Sequence, residues 1–212
     1  MVAFAAMTDA PPPPSPERPF VSRAGEKLAH ALRDFQLNVQ GLACADFGCN
    51  VGGFTDCLLR AGAAHVHALD TGYGILDWRL RNDPRVTVME RTNALHAHPP
   101  EATDGVDLVV IDLAWTRQKL AVPAALRWLR PDEAARIVTL VKPHYEAEGV
   151  GVELPRGRGG VLEEADSQRV LGLVEDALPE LGVKVLARTR SPIVGGSKTK
   201  GNVEYLLLLA RS

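Results

Sequence analysis

The sequence predicts an α/β fold, a largely parallel sheet with helices on both faces. Three observations predict it. Short apolar runs alternate with helix-period segments along the chain, the pattern of strand–helix–strand units. One stretch, Asp46-Phe47-Gly48-Cys49-Asn50-Val51-Gly52-Gly53, joins an apolar run to a helix through glycines. That arrangement aims backbone N–H groups at a ligand. Finally, polar residues close successive apolar runs, and ligands of such sheets bind beyond the carboxyl ends of the strands.

The elements follow in order. Residues 1–19 include Pro11 to Pro14, Pro16 and Pro19, and are expected to form an extended, disordered arm. A single domain over 20–212 follows. Ser22 is a candidate N-cap for a helix whose residues Ala24, Leu28, Ala31, Leu32 and Phe35 share one face. Lys27 flanks that stripe and reads, on this helix alone, as a snorkelling side chain. Gly41 to Ala45 reads as a buried strand closed by Asp46. A helix begins near Gly53. Ala64 to Asp70 is a second strand, with Asp70 at the spacing at which a carboxylate meets ribose hydroxyls. The turn Thr71 to Gly74 and a short helix, Ile75 to Arg81, come next.

Val86 to Glu90, Val106 to Asp112 and Arg136 to Lys142 are further strands, separated by Arg91-Thr92-Asn93 and a helix over Leu120 to Leu129. The region 143–162 reads as a glycine-rich functional loop. An amphipathic helix (Glu163 to Leu181), a sixth strand (Val183 to Ala187), a second loop (Ser191 to Asn202) and a last strand (Val203 to Leu209) complete the chain.

Composition narrows the function classes. The 212 residues carry a formal net charge of −2 and 24% charged residues, which excludes a chain-wide basic grip on nucleic acid but not a local one. No run is long enough to span a membrane. The three cysteines, Cys44, Cys49 and Cys57, cluster around one strand and helix, so they read as small core hydrophobes rather than a disulfide framework, and the expected compartment is the cytoplasm. The His65/His67 and His96/His98 pairs lack a third ligand in pattern, so packing and loop polarity are preferred to metal binding. Gly195 to Thr199 lacks the glycine before lysine that a phosphate loop needs. Asp46, Asp70, Glu90-Arg91, Asp112 and Lys142 therefore form the candidate site. Asp112 and Lys142 end neighbouring strands, so their side chains can meet in one crevice.

Several motifs in order sharpen this reading. Val21–Leu28, Gly52–Leu59, Asp83–Val86, Glu90–Asn93, Val109–Asp112, Leu140–Pro143, Gly159–Val161, Ser191–Ile193 and Gly201–Leu206 resemble the FtsJ-like methyltransferase superfamily, and within it the hemolysin A group of ribosomal RNA 2′-O-methyltransferases. The resemblance implies a Rossmann-like class I fold with a seven-stranded, mostly parallel sheet whose last strand is antiparallel. It implies a catalytic tetrad of Lys27, Asp112, Lys142 and Glu204, with Lys142 activating the 2′-hydroxyl and the others orienting it and balancing charge.

It also implies S-adenosyl-L-methionine as cofactor, held by Asp46, Gly48, Cys49, Asn50, Gly52, Gly53, Phe54, Asp70, Thr71, Asn93 and Asp112, and RNA, ribosomal RNA in particular, as partner. The family's N-terminal RNA-binding module has no counterpart before Phe20. Cys49-Asn50-Val51 and Leu113 to Lys119 depart from the family pattern. Transfer to a small-molecule acceptor, or a non-catalytic role beside another RNA factor, are the alternatives.

Overall fold

The structure is a computed structural model that describes residues 19–101, 103–153, 161–195 and 201–212. Seven strands form one sheet in the order β3-β2-β1-β4-β5-β7-β6. They are β1 (Ala43–Phe47), β2 (His65–Leu69), β3 (Val86–Met89), β4 (Leu108–Ile111), β5 (Arg136–Val141), β6 (Val183–Arg190) and β7 (Tyr205–Arg211). The first five are mutually parallel where they pair, whereas β7 runs antiparallel to both β5 and β6. The β1–β4 switch point lies at the centre, where this class of sheet opens its crevice.

Side chains alternate across a strand, and the two faces carry separate cores. On one face helices α1 (Ala24–Asp34) and α2 (Gly53–Arg60) bury Leu28, Leu32 and Leu58 against Cys44, Val66, Val110 and Val138. Helix α3 (Trp78–Arg81) adds Leu80 to that face. On the other face α4 (Gln118–Trp128) and α6 (Glu164–Ala177) bury Trp128, Val170 and Val174 against Phe47, Val109, Ile137 and Leu207. Trp128 is fully buried and its indole N–H donates to the Ala97 carbonyl. Helices thus cover both faces, as alternation predicted.

Three local expectations change. Ser22 does not cap α1: the N-cap is Arg23, without a side-chain cap bond, and Ser22 lies instead against Gly53. The 143–162 region is not all loop, because α5 (Pro143–Glu146) and a 3-10 turn (Ala147–Val150) begin directly after β5. Pro143 sits at the first helical position, where its missing N–H costs nothing. The last strand starts at Tyr205, so Glu204 precedes it instead of opening it. Residues 1–18 of the expected arm and 196–199 of the rejected Gly195 to Thr199 phosphate loop lie outside the described residues. Among the described residues no helix is long and apolar enough to cross a membrane, and no cluster of His, Cys, Asp or Glu could hold a metal.

Candidate active site

The carboxyl ends of β1, β4 and β5, with the start of α1 and the approach to β7, surround a cavity of about 500 Å³. Its floor is the turn after β1. Gly48 has φ +86° and a side chain there would meet the Asp112 carbonyl at 2.6 Å, so only glycine fits. Its N–H and that of Cys49 both donate to the Leu69 carbonyl. Asn50 also takes a left-handed conformation, at φ +50°. The Asp70 carboxylate holds this turn, accepting from the Asn50 N–H at 2.9 Å and from the Gly72 N–H at 2.7 Å. Asp70, Glu90, Asp112 and Lys142 each immediately follow a strand, as the sequence pattern predicted.

Asp46 does not. It lies inside β1, with no exposed surface, and its side chain points at α2. Thr55 Oγ1 donates to its Oδ2 at 2.6 Å. Asp46 therefore ties the first turn of α2 to the preceding strand through the Thr55 hydroxyl. Burial is the main cause that pushes its carboxyl up to about 7, opposed by the Thr55 bond and assisted by the Asp112 and Asp70 charges.

Gly52 and Gly53 serve packing rather than the cavity. A side chain at Gly52 would strike Leu80 at 2.2 Å, and one at Gly53 would strike Ser22 at 2.3 Å and the Gly25 backbone N at 2.9 Å. A side chain at Gly25 would in turn meet the Gly53 carbonyl at 2.8 Å. Helix α1 crosses α2 on these two glycines, and the crossing brings Lys27 to the cavity. Cys49 and Phe54 line the cavity but are themselves buried; burial raises the Cys49 thiol above its ordinary range. Thr71 is exposed outside the cavity wall. Asn93 is exposed too and caps a turn of its own, accepting from the Leu95 N–H at 3.0 Å.

Lys27, Asp112, Lys142 and Glu204 all line the cavity. They form two ion pairs from four distant points of the chain. Lys142 Nζ donates to Asp112 Oδ1 at 2.5 Å and to the Leu113 carbonyl at 3.2 Å. Lys27 Nζ donates to Glu204 Oε2 at 2.5 Å. The side chains keep only 12 and 4% exposure in the second pair, and 13 and 18% in the first. Such pairs persist when half-buried because each charge has a partner; removing one partner leaves an uncompensated charge.

Residues that sequence reading missed complete the wall. His144 and Tyr145 of α5 line the cavity. Desolvation, then the Lys142 charge, lowers the His144 pKa. The Tyr145 ring lies 5.9 Å from Lys142 Nζ and stacks on Trp115, with ring centroids 4.6 Å apart. Trp115 is 82% exposed and has φ +57°. An exposed tryptophan in Leu113 to Lys119, the segment that departs from the family pattern, was the available signal.

A family model described as FtsJ-like methyltransferase matches residues 20–211. The chain is 46% identical over 196 residues to a Mycobacterium tuberculosis protein named 16S/23S rRNA (cytidine-2′-O)-methyltransferase TlyA, covering 91% of this chain and 69% of that one. It is 38% identical to a Brachyspira hyodysenteriae protein named Hemolysin A, covering 88 and 75%. A solved Streptococcus thermophilus structure that carries a hemolysin name superposes with a TM-score of 0.80 at 35% identity, covering 92% of this chain and 68% of that one.

Proposed function

Because the chain belongs to the FtsJ-like methyltransferase family, we propose that it transfers the methyl group of S-adenosyl-L-methionine to a ribose 2′-hydroxyl of ribosomal RNA. The observation that carries the reading is the convergence of the Lys142–Asp112 and Lys27–Glu204 pairs on one cavity. The name of the M. tuberculosis relative supports the hydroxyl and the RNA class.

The cavity fits the cofactor. Its volume lies within the range of ligand pockets, and its floor is a turn in which Asn50 is exposed. Asp70 beside that turn is partly exposed, so it can accept from ribose hydroxyls while still holding Asn50. When bound, S-adenosyl-L-methionine supplies a methyl already activated by its sulfonium. The protein's task is then mainly alignment of the acceptor. Lys142, tethered to Asp112 and the Leu113 carbonyl, first releases a proton to solvent and then, as the neutral amine, takes up the proton of the acceptor hydroxyl. Lys27 and Glu204 fix the opposite wall as an ion pair whose charges balance each other. The Trp115–Tyr145 stack offers a π-face beside Lys142, the kind of surface on which an unstacked base rests.

Incubation with methyl-labelled S-adenosyl-L-methionine and either ribosomal subunits, naked ribosomal RNA or a metabolite extract tests the reading. Label in RNA at a ribose that resists alkaline cleavage is expected. Label on a base, or only on metabolites, would overturn it.

A further inference from the structure

The stretch after β4 and the stretch after β5 are fastened together step by step. Asp112 meets Lys142 at 2.5 Å, Trp115 stacks on Tyr145 at 4.6 Å, and the Gln118 N–H donates to Glu146 Oε1 at 2.8 Å. Arg117 also pairs with Glu148 at 2.5 Å. These fastenings differ in burial. Trp115 is 82% exposed, and the Glu148 side chain is 87% exposed, so that pair is an ordinary surface bridge of little strength. Glu146 and Gln118 are each only 4% exposed. Gln118 is itself locked, its Nε2 donating to the Leu140 carbonyl and its Oε1 accepting from Thr139 Oγ1 at 2.7 Å.

Two features separate Glu146 from a routine helix cap. Helix α4 has no side-chain cap from its own N-cap residue, Arg117; the acceptor comes from α5, the helix whose N-cap is Lys142. Trp115 also sits at a positive φ that only a well-determined setting sustains in a bulky residue. Such a residue needs a fixed point on each side of it. Asp112 supplies one and Gln118 the other. Burial raises the Glu146 carboxyl to about 7, opposed by the Gln118 bond and the Arg117 and Lys119 charges. The acceptor is therefore kept in place at a desolvation cost.

We propose that Glu146 is a positioning residue for methyl transfer: by holding the Gln118 N–H it fixes the Asp112–Gln118 stretch against α5, and so sets the Trp115–Tyr145 stack and the Lys142–Asp112 pair. The inference rests on the reading of Lys142 as the residue that takes up the proton of the acceptor hydroxyl.

The test uses protein labelled with 5-fluorotryptophan, the Trp115 resonance being assigned with Trp115→Phe. In Glu146→Ala the Trp115 fluorine signal moves, and single-turnover transfer to ribosomal subunits falls about tenfold or more, as misplacement of reacting groups does. The S-adenosyl-L-methionine Kd measured by calorimetry stays within about twofold. Glu146→Gln, whose amide oxygen accepts the same N–H, restores both signal and rate. If the alanine variant does not fold, Glu146→Asp, which shortens the reach, replaces it with the same expected shift. An unmoved Trp115 signal in whichever variant folds, or a glutamine variant that does not restore it, overturns the proposal. Wild-type protein that methylates no ribosomal RNA would sink the substrate reading, while the fluorine signal still decides the role of Glu146.

Discussion

The two walls of the cavity are built in different ways. The β1–α2 side is a backbone structure. Gly48, Asn50 and Gly52 all take positive φ, Asp70 accepts from the Asn50 and Gly72 N–H groups, and Asp46 accepts from the Thr55 hydroxyl. The β4–β5–β7 side is a side-chain structure. Lys27 pairs with a residue 177 positions away and Lys142 with one 30 positions away. A backbone wall suits a cofactor whose shape is constant. A wall of paired charges suits chemistry, because each charge is held ready without being free. The comparison implies that the two walls can be damaged separately.

Lys27→Ala should break the comparison most visibly. Transfer falls by about two orders of magnitude, within the range for loss of a proton-handling or orienting group, while calorimetry finds cofactor affinity unchanged. Glu204, 3% exposed, loses its partner, so thermal stability falls as well. Asp70→Ala should do the reverse. With Asn50 and Gly72 released, cofactor Kd rises about tenfold, the equivalent of ~1.4 kcal/mol, and single-turnover transfer at saturating cofactor stays near the wild-type rate.

Gly53→Ala tests the glycine crossing that joins the walls. The new methyl meets the Gly25 backbone N at 2.9 Å, and overpacking of this kind costs about 1–3 kcal/mol, read as a lower denaturation midpoint. Asp46→Asn should have the smallest effect, visible only in pH dependence. The folded carboxyl is pushed up to about 7, whereas an unfolded aspartate ionises near pH ~3.9. Between those values the folded state holds a proton that the unfolded state has released, so this group's contribution to stability declines as pH rises. The melting temperature of the asparagine variant relative to wild type should therefore be higher at pH 8 than at pH 5.

The same contrast explains what could be read from the sequence. The strands were legible because their apolar runs are short and end in polar residues. Asp70, Asp112 and Lys142 stand where that pattern put them. Asp46 misled because a carboxylate closing an apolar run looks the same whether it faces a ligand or holds a side chain of the next helix. The pairing of Asp112 with Lys142 followed from neighbouring strands. The inclusion of Lys27 and Glu204 came only from family resemblance, since nothing local distinguishes Lys27 from a snorkelling side chain. Helix α5 is four residues long, too short to show a period, and the Trp115–Tyr145 stack exists only after β4 and β5 are side by side. The antiparallel β7 likewise has no signature in an apolar run such as Leu206 to Leu209.

The central claim is that the paired lysines perform the transfer and the β1–α2 turn only holds the donor. Lys142→Ala, measured by calorimetry with S-adenosyl-L-methionine and by single-turnover transfer to ribosomal subunits, addresses it most directly. The account predicts wild-type cofactor affinity with transfer lowered by about 10²–10⁴-fold. Transfer that survives at the wild-type rate, with alkali-resistant ribose still formed, would contradict it.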